Sequence, residues 1–374
     1  MDAELSGHCH ARYAFVRDLL ADEFQQERAL GQAVAIVVDG EPVVHLWSGH
    51  ADAGRTRPWR NDTLSCLFSA SKPLAAACVL KLVERGAIEL ETRITEYWPE
   101  FAAHGKHETT VRHALAHLAG VPIAEAALAR SVYDPDRLAS ALAEQQPLWP
   151  PGSQLCFHSF THGVLSSELV RRIDGRSLPE FFRAEIARPF SLELAFGLEP
   201  NELQRCADVE LVPGNSLFRM MTDPATPLGA SWAPMPWDEL NSTQFRTSGF
   251  ASIGGHGSAL GLARFYAAMA GDGRLDGRVL LDPRIVHEAL TEQAHGLDVF
   301  MGAPVRMGLA FMLANDAFPF TGQPTAFGQP GLGGVVGFGD TRHRLGVGIV
   351  CNRLVAGLEN PFLQRLIDGL VAIL

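Results

Sequence analysis

The sequence predicts an α/β (α+β) fold in two parts: a discontinuous sheet domain from residues 1–66 and 246–374, and an inserted, mainly helical domain from residues 67–245. Three observations carry this. Strand-like runs of β-branched residues lie near both ends of the chain. The middle reads as helices joined by long loops. With 374 residues, 47% of them hydrophobic, the chain can bury a core large enough for two packed units. Clefts between such units are the default place for a site.

The elements follow in order. Residues 11–29 read as a helix that ends in charged and amide side chains. Residues 33–38 and 43–47 flank Asp39-Gly40, and Asp-Gly between β-branched runs marks a two-residue hairpin. Residues 51–66 form a loop rich in Arg, Asp and Asn. Residues 74–83 (Leu-Ala-Ala-Ala-Cys-Val-Leu-Lys-Leu-Val) are apolar nearly all round, as a core helix is. Gly86 supplies its stop. Pro73 is compatible with that helix only in its first turn, which sets the start near Ser69. Further helices are expected over 110–117, 160–173 and 179–190, with Asp134-Pro135-Asp136 a turn. The Pro-, Met- and Trp-rich stretch 207–245, with Pro213 among its prolines, reads as a long irregular excursion that covers or lines a site. A helix over 259–270, strands over 307–313, 335–338 and 345–351, and an amphipathic helix over 360–373 complete the chain.

Bulk properties exclude several function classes. The net charge is −11 and no basic run occurs, so neither nucleic acid nor an anionic membrane is an expected partner. No apolar run is long enough to span a bilayer. The first residues lack a charged region followed by an apolar stretch, so no signal peptide is expected. The six cysteines are scattered, without Cys-x-x-Cys, and read as reduced residues of a cytoplasmic protein.

The chemistry concentrates at Ser69-Ala70-Ser71-Lys72. Residues three apart share a helical face, so Ser69 Oγ and Lys72 Nζ can meet. A serine hydroxyl becomes a useful nucleophile when a neighbouring base takes its proton. Lysine serves as that base once burial lowers its pKa. Read blandly, the same serine is a helix cap.

Two further stretches align with it: Pro151-Gly152 leading to Phe157-His158-Ser159, and Phe327-Gly328-Gln329-Pro330-Gly331-Leu332. Together with Leu115-Ala116-His117-Leu118-Ala119-Gly120 and Trp98-Pro99-Glu100-Phe101, they resemble the class C β-lactamase-like and penicillin-binding-protein-like serine hydrolases. The look is nearest to family VIII carboxylesterases, and the likeness runs from about residue 30 to 353. The resemblance implies a β-lactamase/transpeptidase-like fold: an antiparallel sheet flanked by helices, plus an inserted all-helical domain. It implies an esterase-like reaction without cofactor or metal on a small ester, thioester or amide, with Ser69 as nucleophile and Lys72 as base. The backbone N–H groups of Ser69 and Leu332 would form the oxyanion hole. It also exposes two departures. The family's proton-shuttling tyrosine falls on Phe157, which has no hydroxyl. The Lys, His or Trp that opens the third motif falls on Gln329, two residues before Gly331. His158 and Tyr133 are the nearest titratable substitutes, and Tyr133, Trp232 and Phe250 are candidates for the substrate pocket. Two alternatives stand beside the hydrolase: an acyltransferase that delivers to an amine or alcohol, and a binding protein that has kept the cleft and lost the reaction.

Other patterns carry less. His113 and His117 are spaced like zinc ligands, yet the intervening residues lack the metalloprotease glutamate. His8-Cys9-His10 has no second cluster and reads as a disordered end or a surface turn. The glycines at 331, 333, 334 and 337 break the dinucleotide pattern, and no serine sits in Gly-x-Ser-x-Gly. Arg246, among polar loop residues, is a possible carboxylate contact.

Overall fold

A computed structural model describes residues 5–126, 130–212, 216–354 and 361–374. Pro213, one of the prolines of the irregular stretch, lies outside the described residues. The architecture is a mixed α/β one, an antiparallel sheet flanked by helices with a helical region inserted.

Nine strands form the sheet: β1 (Ser6–Cys9), β2 (Gly31–Val38), β3 (Glu41–Gly49), β4 (Ala294–Asp298), β5 (Ala303–Met307), β6 (Met312–Leu313), β7 (Ala326–Pro330), β8 (Val336–Asp340) and β9 (Leu345–Cys351). Their order is β1-β3-β2-β9-β8-β7-β6-β5-β4, and every neighbouring pair is antiparallel. The Asp39-Gly40 hairpin forms as expected, with positive φ at both turn residues. His8 and Cys9 lie in the edge strand β1, paired to β3, instead of a disordered end or surface turn. The strand expected over 307–313 is a hairpin: Met307 pairs with Met312, and the Gly308 N–H bonds to Phe311 O across the turn.

Helices cover both faces. α1 (Ala14–Gln25) and α5 (Pro361–Ile373) close one face, where Val34 and Ile36 meet Val16, Leu20, Leu366 and Leu370. Ala33, Ala35 and Val37 point to the opposite face, under α4 (Ala259–Ala270). Burial on both faces explains why β2 reads as a continuous apolar run. The approach of α4 depends on glycine. A Cβ on Gly346 would lie 2.2 Å from Ala263 O, and one on Gly348 2.3 Å from Ala259 O.

The inserted region packs α2 (Lys72–Glu84) along α3 (Thr161–Asp174). The helix expected over 179–190 is a short one at Leu178–Phe182 followed by a single π turn at Arg183–Ala187. A three-stranded ribbon, with Gly255–Gly257 between Ser65–Cys66 and Leu194–Phe196, joins the two regions under Ser69. Among the described residues no helix is long and apolar enough to cross a membrane, and all six cysteines are free thiols.

Replacing Gly348 by alanine drives a methyl group into the α4 backbone. We expect a loss of about 2–3 kcal/mol, read as a lowered thermal midpoint; an unchanged midpoint would show that α4 can shift away.

Candidate active site

The site starts at a strained turn. Phe68 has φ of +46°, uncommon for a bulky residue, and a 3-10 turn at Phe68–Ser71 runs directly into α2. Ser69 therefore sits one turn ahead of the α-helix, which begins at Lys72, with Pro73 in its first turn. The turn is pinned from below: the Leu67 N–H donates to Gly255 O (2.8 Å) and the Gly255 N–H donates to Ser71 Oγ (3.1 Å).

Ser69 and Lys72 meet as the spacing requires, with Nζ 3.0 Å from Oγ. Lys72 is fully buried, and burial holds its pKa well below that of an ordinary lysine. Its amine also lies 3.1 Å from Ser252 O. A neutral amine can thus accept the Ser69 proton on its lone pair while donating to the Ser252 carbonyl. Ser252 is itself fixed, because its Oγ donates to Phe160 O and accepts from the Gly163 N–H at 2.7 Å. No sequence signal singled out Ser252, since its contribution is a main-chain carbonyl.

Phe157 stands where the resemblance puts the tyrosine, its ring centre 4.7 Å from Lys72 Nζ. The aromatic face packs against the amine and offers no oxygen to carry a proton. His158, one residue on, is not among the residues lining the cavity at Ser69. Its Nδ1 bonds Cys156 O (2.6 Å) and its Nε2 accepts from the Val121 N–H (3.3 Å), so both ring nitrogens serve the backbone. Behind Phe157 lies a column of buried imidazoles. His117 stacks on Phe157 and on His162, each at 4.8 Å between ring centres. Burial pushes His158 down to about 4 and holds His117 and His162 well below the ordinary histidine value, the nearby Lys72 adding to each. These rings are neutral at neutral pH. His113, the other half of the zinc-like pair, caps its own short helix by accepting from the Thr110 N–H.

The third motif closes the opposite side. A Cβ on Gly331 would lie 2.4 Å from Leu67 O, so only glycine lets this segment pass the serine turn and bring Leu332 beside Ser69. Gln329 is fully buried. Its Nε2 donates to Pro330 O (3.0 Å), and its buried Oε1 has no hydrogen-bond partner among the described residues.

The cavity at Ser69 holds about 130 Å³. Its wall is apolar and rich in methionine: Met220, Met221, Met301 and Met312, with Phe300 and Trp232. Among the described residues no charged side chain lines it. Of the three expected pocket residues only Trp232 reaches it. Tyr133 and Phe250 line a separate cavity, because the Phe160 ring stands between Trp232 and Phe250 at 5.2 and 5.3 Å. The Tyr133 hydroxyl donates to Glu239 (2.7 Å), away from Ser69. Arg246 does not face the cleft as a free cation; it is nearly buried and pairs with Asp208 at 2.7 Å. The methionines come from three separate segments, and only the irregular stretch around 207–245 carried a hint of them. Among the described residues no group of three or more His, Cys, Asp or Glu side chains is arranged to hold a metal ion.

A fold of this kind, with a serine–lysine pair at the head of a buried helix, defines a β-lactamase-like serine hydrolase. The chain belongs to the Beta-lactamase family, whose profile matches residues 16–369. It is 30% identical to the esterase/beta-lactamase LipL of Mycobacterium tuberculosis, over 94% of this chain and 84% of that one. It is 29% identical to esterase EstB of Burkholderia gladioli, over 95% and 94% respectively. Among solved structures, a family VIII carboxylesterase superposes with a TM-score of 0.90 at 33% identity, covering 99% of this chain and all of that one. A penicillin-binding protein homologue from Caulobacter crescentus gives a TM-score of 0.90 at 32% identity, covering 99% of this chain and 100% of its own.

The histidine column generates a pH prediction. A histidine with a depressed folded-state pKa takes its proton more readily when unfolded, so its stabilising effect is complete above its ordinary value and is lost on acidification. For His158 that window runs from 6.5 down to about 4. The melting temperature should fall steadily over this range. His162→Leu, which removes two ring nitrogens that have no partner, should flatten the slope; an unchanged slope would remove His162 from the account.

Proposed function

We propose that the protein is an esterase-like acyl-transfer enzyme acting on small, neutral, apolar esters. The observation that carries this reading is the 3.0 Å contact between Ser69 Oγ and the buried Lys72 amine at the floor of an uncharged cavity. In the proposed mechanism Lys72 takes the Ser69 proton as Oγ attacks the ester carbonyl. The N–H groups of Ser69 and Leu332 receive the developing oxyanion. Lys72 then returns the proton to the leaving alkoxide, and an acyl-serine remains. A second nucleophile, deprotonated by the same amine, attacks the acyl carbonyl, the acyl–Oγ bond breaks, and Lys72 returns the proton to Ser69 Oγ. The methionine-lined wall supports an apolar acyl chain, and the neutral Gln329 in place of a cation argues against carboxylate-bearing substrates. The esterase names of the relatives LipL and EstB point the same way.

Phe157 favours a second reading of the last step. Without a tyrosine oxygen, Lys72 alone must handle the protons of acylation and release. An apolar cavity that discourages water suits transfer to an alcohol or amine over hydrolysis.

Incubation with a fluorophosphonate or a p-nitrophenyl ester, followed by intact-protein mass measurement, tests the nucleophile. Wild type should gain one adduct and Ser69→Ala none. Absence of an adduct on wild type would favour the binding-protein alternative. The labelling rate should rise with pH along a limb well below an ordinary lysine, because the neutral amine is the active base. Lys72→Arg should lower the rate by about 10²–10⁴. Phe157→Tyr restores an oxygen above the amine and should speed acyl release to water by about 10²-fold; an unchanged rate would show that Lys72 already suffices.

A further inference from the structure

We propose that Asp298 is a positioning residue that ties the second motif to the wall of the acyl cavity, fixing Phe157 on one side and Phe300 and Met301 on the other. The inference rests on the acyl-transfer reading for its functional part.

Asp298 ends β4 and is almost completely buried. Its two oxygens serve different parts of the chain. Oδ1 accepts from the N–H groups of Phe300 (2.9 Å) and Met301 (2.8 Å), inside the hairpin loop that leads to β5. Oδ2 accepts from the Phe157 N–H, 141 residues earlier in sequence. The first pair of bonds is a local turn, which asparagine or serine makes equally well without burying a charge. The second is not local. A buried carboxylate is costly unless well bonded, and here three backbone N–H groups supply the bonds. Charge-assisted bonds of this kind are short and strong.

The Phe157 segment is held from its other side as well. The Cys156 N–H donates to His117 O (3.2 Å), and the His158 N–H donates to His117 Nδ1 (2.9 Å). Asp298 completes the clamp. The ring over Lys72 and the loop carrying Phe300 and Met301 are therefore one mechanical unit, and the fit of an acyl chain depends on the orientation of both.

Asp298→Asn separates the two functions. One amide oxygen can still accept from the loop, while the amide nitrogen then faces the Phe157 N–H, donor against donor. Two measurements on the full-length protein decide the matter. In hydrogen exchange read by mass spectrometry, the segments 155–159 and 299–303 should lose protection together in Asp298→Ala, and 155–159 should do so in Asp298→Asn. In steady-state assays with p-nitrophenyl acetate and octanoate, Asp298→Asn should lower the octanoate-to-acetate ratio of kcat/KM by about tenfold, chiefly through KM for the longer ester. Thr321→Val, which removes a hydroxyl bond to Asp340 elsewhere in the sheet, should lower the melting temperature and leave that ratio alone. Unchanged exchange at 155–159 in both Asp298 variants, or an unchanged ester ratio with protection lost, would overturn the proposal. If wild type turns over neither ester, the acyl-transfer reading falls, while joint loss of protection still supports the tether and its absence overturns it.

Discussion

The rest of the site is arranged around one buried amine. Lys72 is fully buried, so the chain must supply it with polar partners. Ser69 Oγ and Ser252 O provide two, and the face of Phe157 covers a third direction. Each partner rests on a different element: the strained turn, the segment that staples α3, and the second motif. The apolar helix α2 makes this possible, because a helix buried on all sides presents its first residue to the interior. A lysine in such a place gives up charge readily, which is the property that makes it a base.

The electrostatics behind the amine run in one sense. Three imidazoles lie within reach of Lys72, and burial keeps all of them uncharged near neutral pH. A protonated ring there would further disfavour a proton on the lysine, while a carboxylate would favour one. One buried carboxylate, Asp298, has its charge spread over backbone N–H groups, that of Phe157 among them. Among the described residues, the cavity lining is accordingly free of charged side chains, and the one carboxylate bonded to the Phe157 segment is satisfied by main-chain N–H groups.

Local patterns told most of the fold in advance. The Asp39-Gly40 turn, the all-apolar helix after Ser69 and the strand ending at Cys351 were legible because each is specified by neighbours in sequence. The hairpin at Met307 and Met312 was not, because its turn at Gly308 interrupts an apolar run without any polar residue to mark it. In the site, Ser69 and Lys72 were legible through helical spacing. Phe157, Gln329 and Gly331 were legible through the likeness to a family. The split between Trp232 on one side and Tyr133 with Phe250 on the other was not, since it depends on where the Phe160 ring comes to rest. Ser252 and Asp298 act through or upon the main chain, and main-chain partners leave no residue pattern to read.

The order of strands has a consequence for biosynthesis. β2 is apolar on both faces and takes β3 as one neighbour at once, but its other neighbour is β9, near the far end of the chain. While the ribosome is still translating the helical insertion, the β2–β3 hairpin has one edge with unpaired backbone groups and no α4 beneath it. Such an edge invites pairing with other nascent chains. The central sheet can close only when the last strands have emerged, so the long insertion sets a waiting time during which a chaperone has most to protect.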